Sequence, residues 1–94
     1  MQLGLFDHMQ KHDIPARSYV DLYKNHLEVV EMADQEGMDF YFVAEHHFDM
    51  GFSECPSPGS FLGAASQRTK RIRLGPLVYV LPLWNPIRIA EEIA

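Results

Sequence analysis

Apolar residues in this chain fall into short clusters whose spacing switches between that of a strand and that of a helix. Leu3 to Phe6 is a short apolar run that ends at Asp7-His8, and it predicts a first strand. A polar loop containing Pro15 follows. Ser18 then offers an N-cap, with Asp21 three residues later as in a capping box. Val20, Tyr23, Leu27 and Val30 recur at helical spacing, and Leu22, Val29 and Ala33 widen the stripe. Gly37 is the expected C′ residue of this helix. Residues 39–44 contain the unbroken run Phe40-Tyr41-Phe42-Val43-Ala44, which predicts a second strand buried on both faces. A loop rich in Gly, Ser and Pro runs from Phe48 to Ser57. Pro58 is placed to open a second helix, capped by Ser57, with Phe61, Leu62, Ala64 and Ala65 as its apolar content. Ile72 to Leu81 reads as a third strand interrupted by Gly75-Pro76. Pro86 opens a third helix bearing Ile87, Ile89, Ala90 and Ile93.

The order is therefore βαβαβα, an α/β pattern with parallel strands. Parallel crossovers are right-handed in nearly every case. With the strands in sequence order, both crossover helices fall on one face and leave the other bare. Closing the sheet into a barrel removes that difficulty. The reading favoured here is the first three βα units of a (β/α)8 TIM-type barrel. On this reading residues 1–94 form the N-terminal part of a larger, incomplete barrel domain. The alternative is a small open sandwich that dimerises through its bare face.

Composition narrows the function. A hydrophobic content of 47% fits a folded globular chain rather than disorder. The net charge of −5 argues against a nucleic-acid binder, because phosphate backbones demand a positive surface. Met1 to Asp7 lack the basic start and long apolar stretch of a signal peptide, and no apolar run approaches a membrane span. The one cysteine, Cys55, allows no intrachain disulfide. A cytoplasmic location without membrane association is the expectation.

The candidate chemistry gathers at Glu45-His46-His47, directly after the second strand. The C-terminal ends of parallel strands are where α/β sites form. His46 and His47 are acid–base candidates, because imidazole titrates near neutral pH. Adjacent residues in extended backbone point to opposite sides, so one can face the barrel mouth while the other is held from behind. Glu45 can orient an imidazole or accept from backbone amides. The plainer reading is a pairing that merely closes the strand end. His8 and His12 are four apart, but they read as exposed polar loop residues rather than metal ligands. Gly59-Ser60-Phe61-Leu62-Gly63 is not a dinucleotide fingerprint, and helix packing accounts for Gly63. Cys55 sits in an exposed-looking loop without an activating base. The cluster Arg68, Lys70, Arg71 and Arg73 complements a helix C-terminus. The apolar stretch Gly75 to Pro82, followed by Asn85-Pro86, gives an apolar mouth suited to a flat aromatic cofactor or a lipophilic substrate. Phe6, Phe48 and Tyr79 are the expected substrate-pocket residues.

These elements together resemble the bacterial luciferase-like flavin-dependent monooxygenases. The matching pieces are Leu3-Gly4-Leu5-Phe6, Glu45-His46-His47-Phe48, Ile72-Arg73-Leu74-Gly75, Val80-Leu81-Pro82, Asn85-Pro86-Ile87-Arg88 and Ala90-Glu91-Glu92. The resemblance implies a monooxygenase that uses reduced FMN, supplied by a separate flavin reductase, and dioxygen to oxidise a small organic, lipophilic substrate. It implies a catalytic role for His46, with His47 and Glu45 beside it. It also implies a cis peptide at Leu77-Val78 that packs against the flavin ring. Deazaflavin-dependent relatives tend to carry Ser-Asp-His at the strand end, so Glu-His-His favours FMN. Phosphate-binding residues lie later in such barrels. The isolated 94-residue chain is therefore expected to be inactive and to bind FMN weakly. A full-length homodimer or related heterodimer is expected, with no resident metal. The alternatives are a non-catalytic flavin-binding or partner subunit of this fold, or a metal-dependent barrel hydrolase using the His46 region.

Overall fold

A computed structural model describes residues 1–11, 18–48 and 51–94. His12 and Pro15 lie outside the described residues. The elements are β1 (Gly4–Asp7), α1 (Tyr19–Gln35), β2 (Phe40–Val43), α2 (Pro58–Ser66), β3 (Arg73–Pro76), a 3-10 turn over Leu81–Leu83, and α3 (Pro86–Ile93). The strands form one parallel sheet in the order β1-β2-β3.

Local chemistry explains the ends of α1. The Ser18 Oγ accepts from the Asp21 amide at 3.1 Å and donates to the Asp21 carboxylate at 2.7 Å. At the other end Gly37 takes φ +85°. Its amide donates to the Asp34 carbonyl and the Met38 amide to the Ala33 carbonyl, a Schellman closure. Asn85 caps α3 by accepting from the amides of Ile87 and Arg88. Ser57 departs from expectation. It precedes Pro58, but its hydroxyl lies 3.0 Å from Ser60 Oγ and makes no cap bond to a backbone amide.

The core fills one side of the sheet. Leu22, Val30 and Ala33 of α1 and Phe61, Leu62 and Ala65 of α2 pack with Tyr41, Val43 and Ile72. Both crossover helices therefore share one face, as right-handed connections between sequential strands require. The pairing aligns Phe6 with Phe42 and Phe42 with Gly75. Alternation then puts Gly4, Phe6, Phe40, Phe42, Arg73 and Gly75 on the opposite, open face. There the Phe40 and Phe42 rings stack at 5.8 Å and Arg73 lies over Phe40. The expectation that β2 is buried on both faces is corrected accordingly. Tyr41 and Val43 are fully buried, while Phe40 and Phe42 are only partly covered.

Three further expectations change. The third strand ends at Pro76 and does not continue to Leu81. The Leu77 amide still reaches the Val43 carbonyl, but β2 ends there, and the Val80 amide turns to the Glu45 carboxylate instead. Cys55 is fully buried in the core cluster, not exposed. A Cβ at Gly63 would meet no atom within 4 Å among the described residues, so helix packing does not account for that glycine. The close approach in α2 is at Gly59, where the Glu92 carboxylate occupies the space a Cβ would take.

The basic cluster complements α1 rather than α2. Arg68 pairs with Glu31 at 3.0 Å and an Arg71 guanidinium nitrogen donates to the Asp34 carbonyl. The Asp34 carboxylate accepts from the amides of Lys70, Arg71 and Ile72, and these bonds hold its pKa below the ordinary value. This bracket fixes the turn into β3. No helix among the described residues is long and apolar enough to cross a membrane.

Candidate active site at the C-terminal ends of the strands

The chain leaves all three strands at the same edge of the sheet. Glu45, His46 and His47 follow β2, His8 follows β1, and Leu77 and Val78 follow β3.

Glu45 turns into the protein. Its side chain is fully buried, so its carboxylate needs partners. It finds them on two segments, the residues just after β2 and those flanking the turn after β3. Oε1 lies 2.6 Å from His47 Nε2, Oε2 accepts from the Val80 amide at 2.8 Å, and the Trp84 indole N–H reaches both oxygens at 2.9–3.0 Å. Burial alone would raise the Glu45 pKa. The His47, Val80 and Trp84 donors outweigh it and hold the carboxyl below its usual range. Glu45 thus does both things the sequence allowed: it orients an imidazole and satisfies a backbone amide. It ties the end of β2 to the segment after β3.

His46 and His47 separate, as their adjacency in extended backbone predicts. His47 is held from behind by Glu45. The His46 amide donates to the Cys55 carbonyl, which anchors its backbone to the loop before α2. Its ring lies 5.9 Å from Phe52 and 6.1 Å from His8, both edge-on.

His8 is the residue that sequence reading missed. The expectation of an exposed loop position is corrected: His8 is partly buried. Its ring meets Phe6 at 4.5 Å and Phe52 at 5.1 Å as well as His46. Because β1 runs one residue further than expected, to Asp7, alternation carries the open face from Phe6 to His8. That period-two step was the available signal.

Asp7, on the helix side, anchors this strand end. It accepts from the Tyr41 hydroxyl, lies 2.5 Å from His26 Nδ1 on α1, and accepts from the Met9 amide at 2.7 Å. Burial alone would raise the Asp7 pKa, but His26, Tyr41 and Met9 together lower it. The same contact and burial push the Tyr41 hydroxyl far upward. Cys55 beneath the site is pushed up to about 11 by burial, so its thiol stays protonated.

The remaining sequence-derived positions divide. Phe6, 45% exposed on the open face, joins the cluster through His8. Phe48 is fully exposed at φ +59° beside His47. The Leu77-Val78 peptide is cis, as expected, and both side chains are exposed. Val78 and Tyr79 turn to the helix side, where they line a groove of about 730 Å³ between α2 and α3. Tyr79 is tied there to Glu92, to which its hydroxyl donates, and its ring meets Trp84 at 5.1 Å. Tyr79 is not brought to His46.

Comparison with known proteins agrees with this fold. The family described as luciferase-like monooxygenase matches residues 1–94. An uncharacterised protein, y4wF, of Sinorhizobium fredii is 42% identical over 94 residues, covering 99% of this chain and 26% of that protein. The oxygenase component of a flavin-dependent trigonelline monooxygenase from Acinetobacter baylyi is 34% identical over 94 residues, covering 100% of this chain and 26% of that protein. Among solved structures, the oxygenating constituent of 3,6-diketocamphane monooxygenase from Pseudomonas putida, a type II Baeyer-Villiger monooxygenase in complex with FMN, superposes with a TM-score of 0.87. It is 28% identical, and the match covers 99% of this chain and 25% of that one. The chain spans about a quarter of the length of these relatives. Its three-stranded parallel sheet corresponds to part of their barrel. The chain belongs to the luciferase-like monooxygenase family.

Proposed function

We propose that this chain forms the N-terminal part, residues 1–94, of a (β/α)8 barrel domain in an FMN-dependent monooxygenase that oxidises a small, lipophilic organic substrate. Reduced FMN, when bound, supplies the electrons that activate dioxygen. A separate flavin reductase is the proposed source of that reduced flavin, by analogy with the relative named as an oxygenase component. FMN rather than a deazaflavin is favoured by Glu45-His46-His47 and by the FMN complex of the structural neighbour.

The observation that carries this reading is the pairing of functions at the end of β2. His46 is an imidazole beside an open apolar face, while its neighbours brace the strand end. The fit to a flavin rests on exposed apolar surface at the same ends of the strands: Phe6 is 45% and Leu77 is 45% exposed. Apolar side chains of this kind suit a flat aromatic ring. Leu77, at the Leu77-Val78 peptide, is assigned to the ring wall, and Phe6 and Phe48 to the substrate side; Val78 turns to the groove between α2 and α3 and is not part of that wall. Tyr79 acts there only indirectly, through Trp84. His46 accepts or donates a proton at an imidazole nitrogen toward the reacting oxygen. Glu45 and His47 hold the backbone that presents it.

Steady-state turnover of the full-length protein with reduced flavin tests the assignment. His46→Ala is expected to lower kcat about a hundredfold or more, and His47→Ala distinctly less. Equal, small losses for the two would reject the role given to His46.

A further inference from the structure

We propose that His8 is a positioning residue of this site, a second imidazole that sets the orientation of His46. The inference rests on the reading of His46 as the proton-transfer residue.

Three observations support it. First, the rings form one cluster. His8 stands 6.1 Å from His46 at 62°, and both rings pack on Phe52, at 5.1 and 5.9 Å. Phe6 closes the far side of His8 at 4.5 Å. Second, the backbone on either side of His8 is held firmly. Asp7 is bonded to α1 and β2 through His26 and Tyr41 and takes the Met9 amide on its other oxygen. Met9 is fully buried at φ +52°, a conformation that a non-glycine residue adopts only when its surroundings impose it. The Glu54 amide donates to the Met9 carbonyl and closes the turn against the loop before α2. A single side chain is thereby fixed between two anchors.

Third, the residue type is wrong for packing alone. His8 Nδ1 is buried and has no hydrogen-bond partner among the described residues. A buried polar atom left unpaired is unfavourable, and such groups are few in native proteins. Phenylalanine would fill the same space against Phe6 and Phe52 without that penalty. An imidazole kept in this aromatic nest sets a dipolar ring edge-on to His46, and that ring contact is the one through which His8 acts on His46. Misplacing a reacting group by an ångström costs roughly a hundredfold in rate, so a fixed neighbouring ring has kinetic consequences.

The test uses the full-length enzyme and three variants: His8→Phe, His8→Asn and His46→Ala. His8→Phe keeps the ring and removes both nitrogens. The expected result is a kcat lowered roughly ten- to a hundredfold, with KM within about twofold of the parent and no loss of thermal stability. His8→Asn, which keeps a polar group near Nδ1, is expected to lie between His8→Phe and the parent. Parental kcat in His8→Phe would overturn the proposal and leave a packing role. If His8→Phe fails to fold, His8→Asn decides: a reduced kcat at unchanged KM supports the proposal, and a parental kcat rejects it. His46→Ala separates the two levels. If it retains parental turnover, the reading of the site itself fails; if it is inactive while His8→Phe is fully active, only the inference about His8 fails.

Discussion

Glu45 is the structural centre of the site, and its removal should be felt first as a loss of stability. Its buried carboxylate holds the Val80 amide, the Trp84 indole N–H and the His47 ring. Glu45→Ala strands the first two donors, and each buried donor left unpaired costs about 1–3 kcal/mol. His47 is 28% exposed on its side chain and can turn toward water, so its share is smaller. Two such donors together set the expected loss for Glu45→Ala at about 2–6 kcal/mol. Glu45→Gln keeps one acceptor oxygen and should cost about 1–3 kcal/mol. The assay is urea unfolding of the full-length protein, followed by tryptophan fluorescence, with the m-value unchanged. The pH dependence has a fixed sign. The folded-state pKa of Glu45 is depressed, so the unfolded state binds more protons between the two pKa values. The stabilisation is fully present above the unfolded value of about 4.3 and is lost as pH falls through the folded one. The parent should therefore approach Glu45→Gln at low pH. A loss below about 1 kcal/mol for Glu45→Ala at neutral pH would refute the bracing role, because surface substitutions are commonly that mild.

Other outcomes follow from neighbouring contacts. Asp7→Ala should destabilise the protein by about 3 kcal/mol, because it leaves the Tyr41 hydroxyl and the Met9 amide without their acceptor at about 1–3 kcal/mol each. The parent's Asp7 contribution should fade as pH drops below about 4, because its folded pKa is also depressed, and Asp7→Asn should flatten that slope. Asn85→Ala should cost about 1 kcal/mol by uncapping α3, measured as a shift in urea midpoint. Cys55, buried and raised to about 11, should react with a thiol reagent only as fast as the protein opens; rapid labelling under native conditions would contradict its placement.

Much of this arrangement was legible in the sequence, for identifiable reasons. The stripe from Leu22 to Ala33 fixes α1, and Ser18 and Gly37 mark its ends because capping uses local bonds. Pro58 and Pro86 mark helix starts for the same reason. The triplet Glu45-His46-His47 stood out because ionisable groups directly after a buried strand need partners. What was hidden depends on the third dimension. His8 reads as loop in the sequence because the apolar run ends at Phe6, one residue short of the alternation that places it beside His46. Cys55 looked exposed because its loop is rich in polar residues, whereas that loop folds back and gives the Cys55 carbonyl to the His46 amide. The extent of β3 was overestimated because apolar character continues to Leu81, yet a strand needs a neighbour, and β2 ends at Val43. The place of Tyr79 in an apolar run points to the pocket, but its hydroxyl is drawn across to Glu92 on α3.

The central claim is that the open face at the ends of β1, β2 and β3 receives the flavin, with His46 toward its reacting edge. The most direct test is a crystal structure of the full-length protein with FMN bound. The account predicts the flavin ring in van der Waals contact with Leu77, within roughly 4 Å, and the His46 imidazole facing the same cavity. A flavin ring bound elsewhere, touching neither residue, would contradict it.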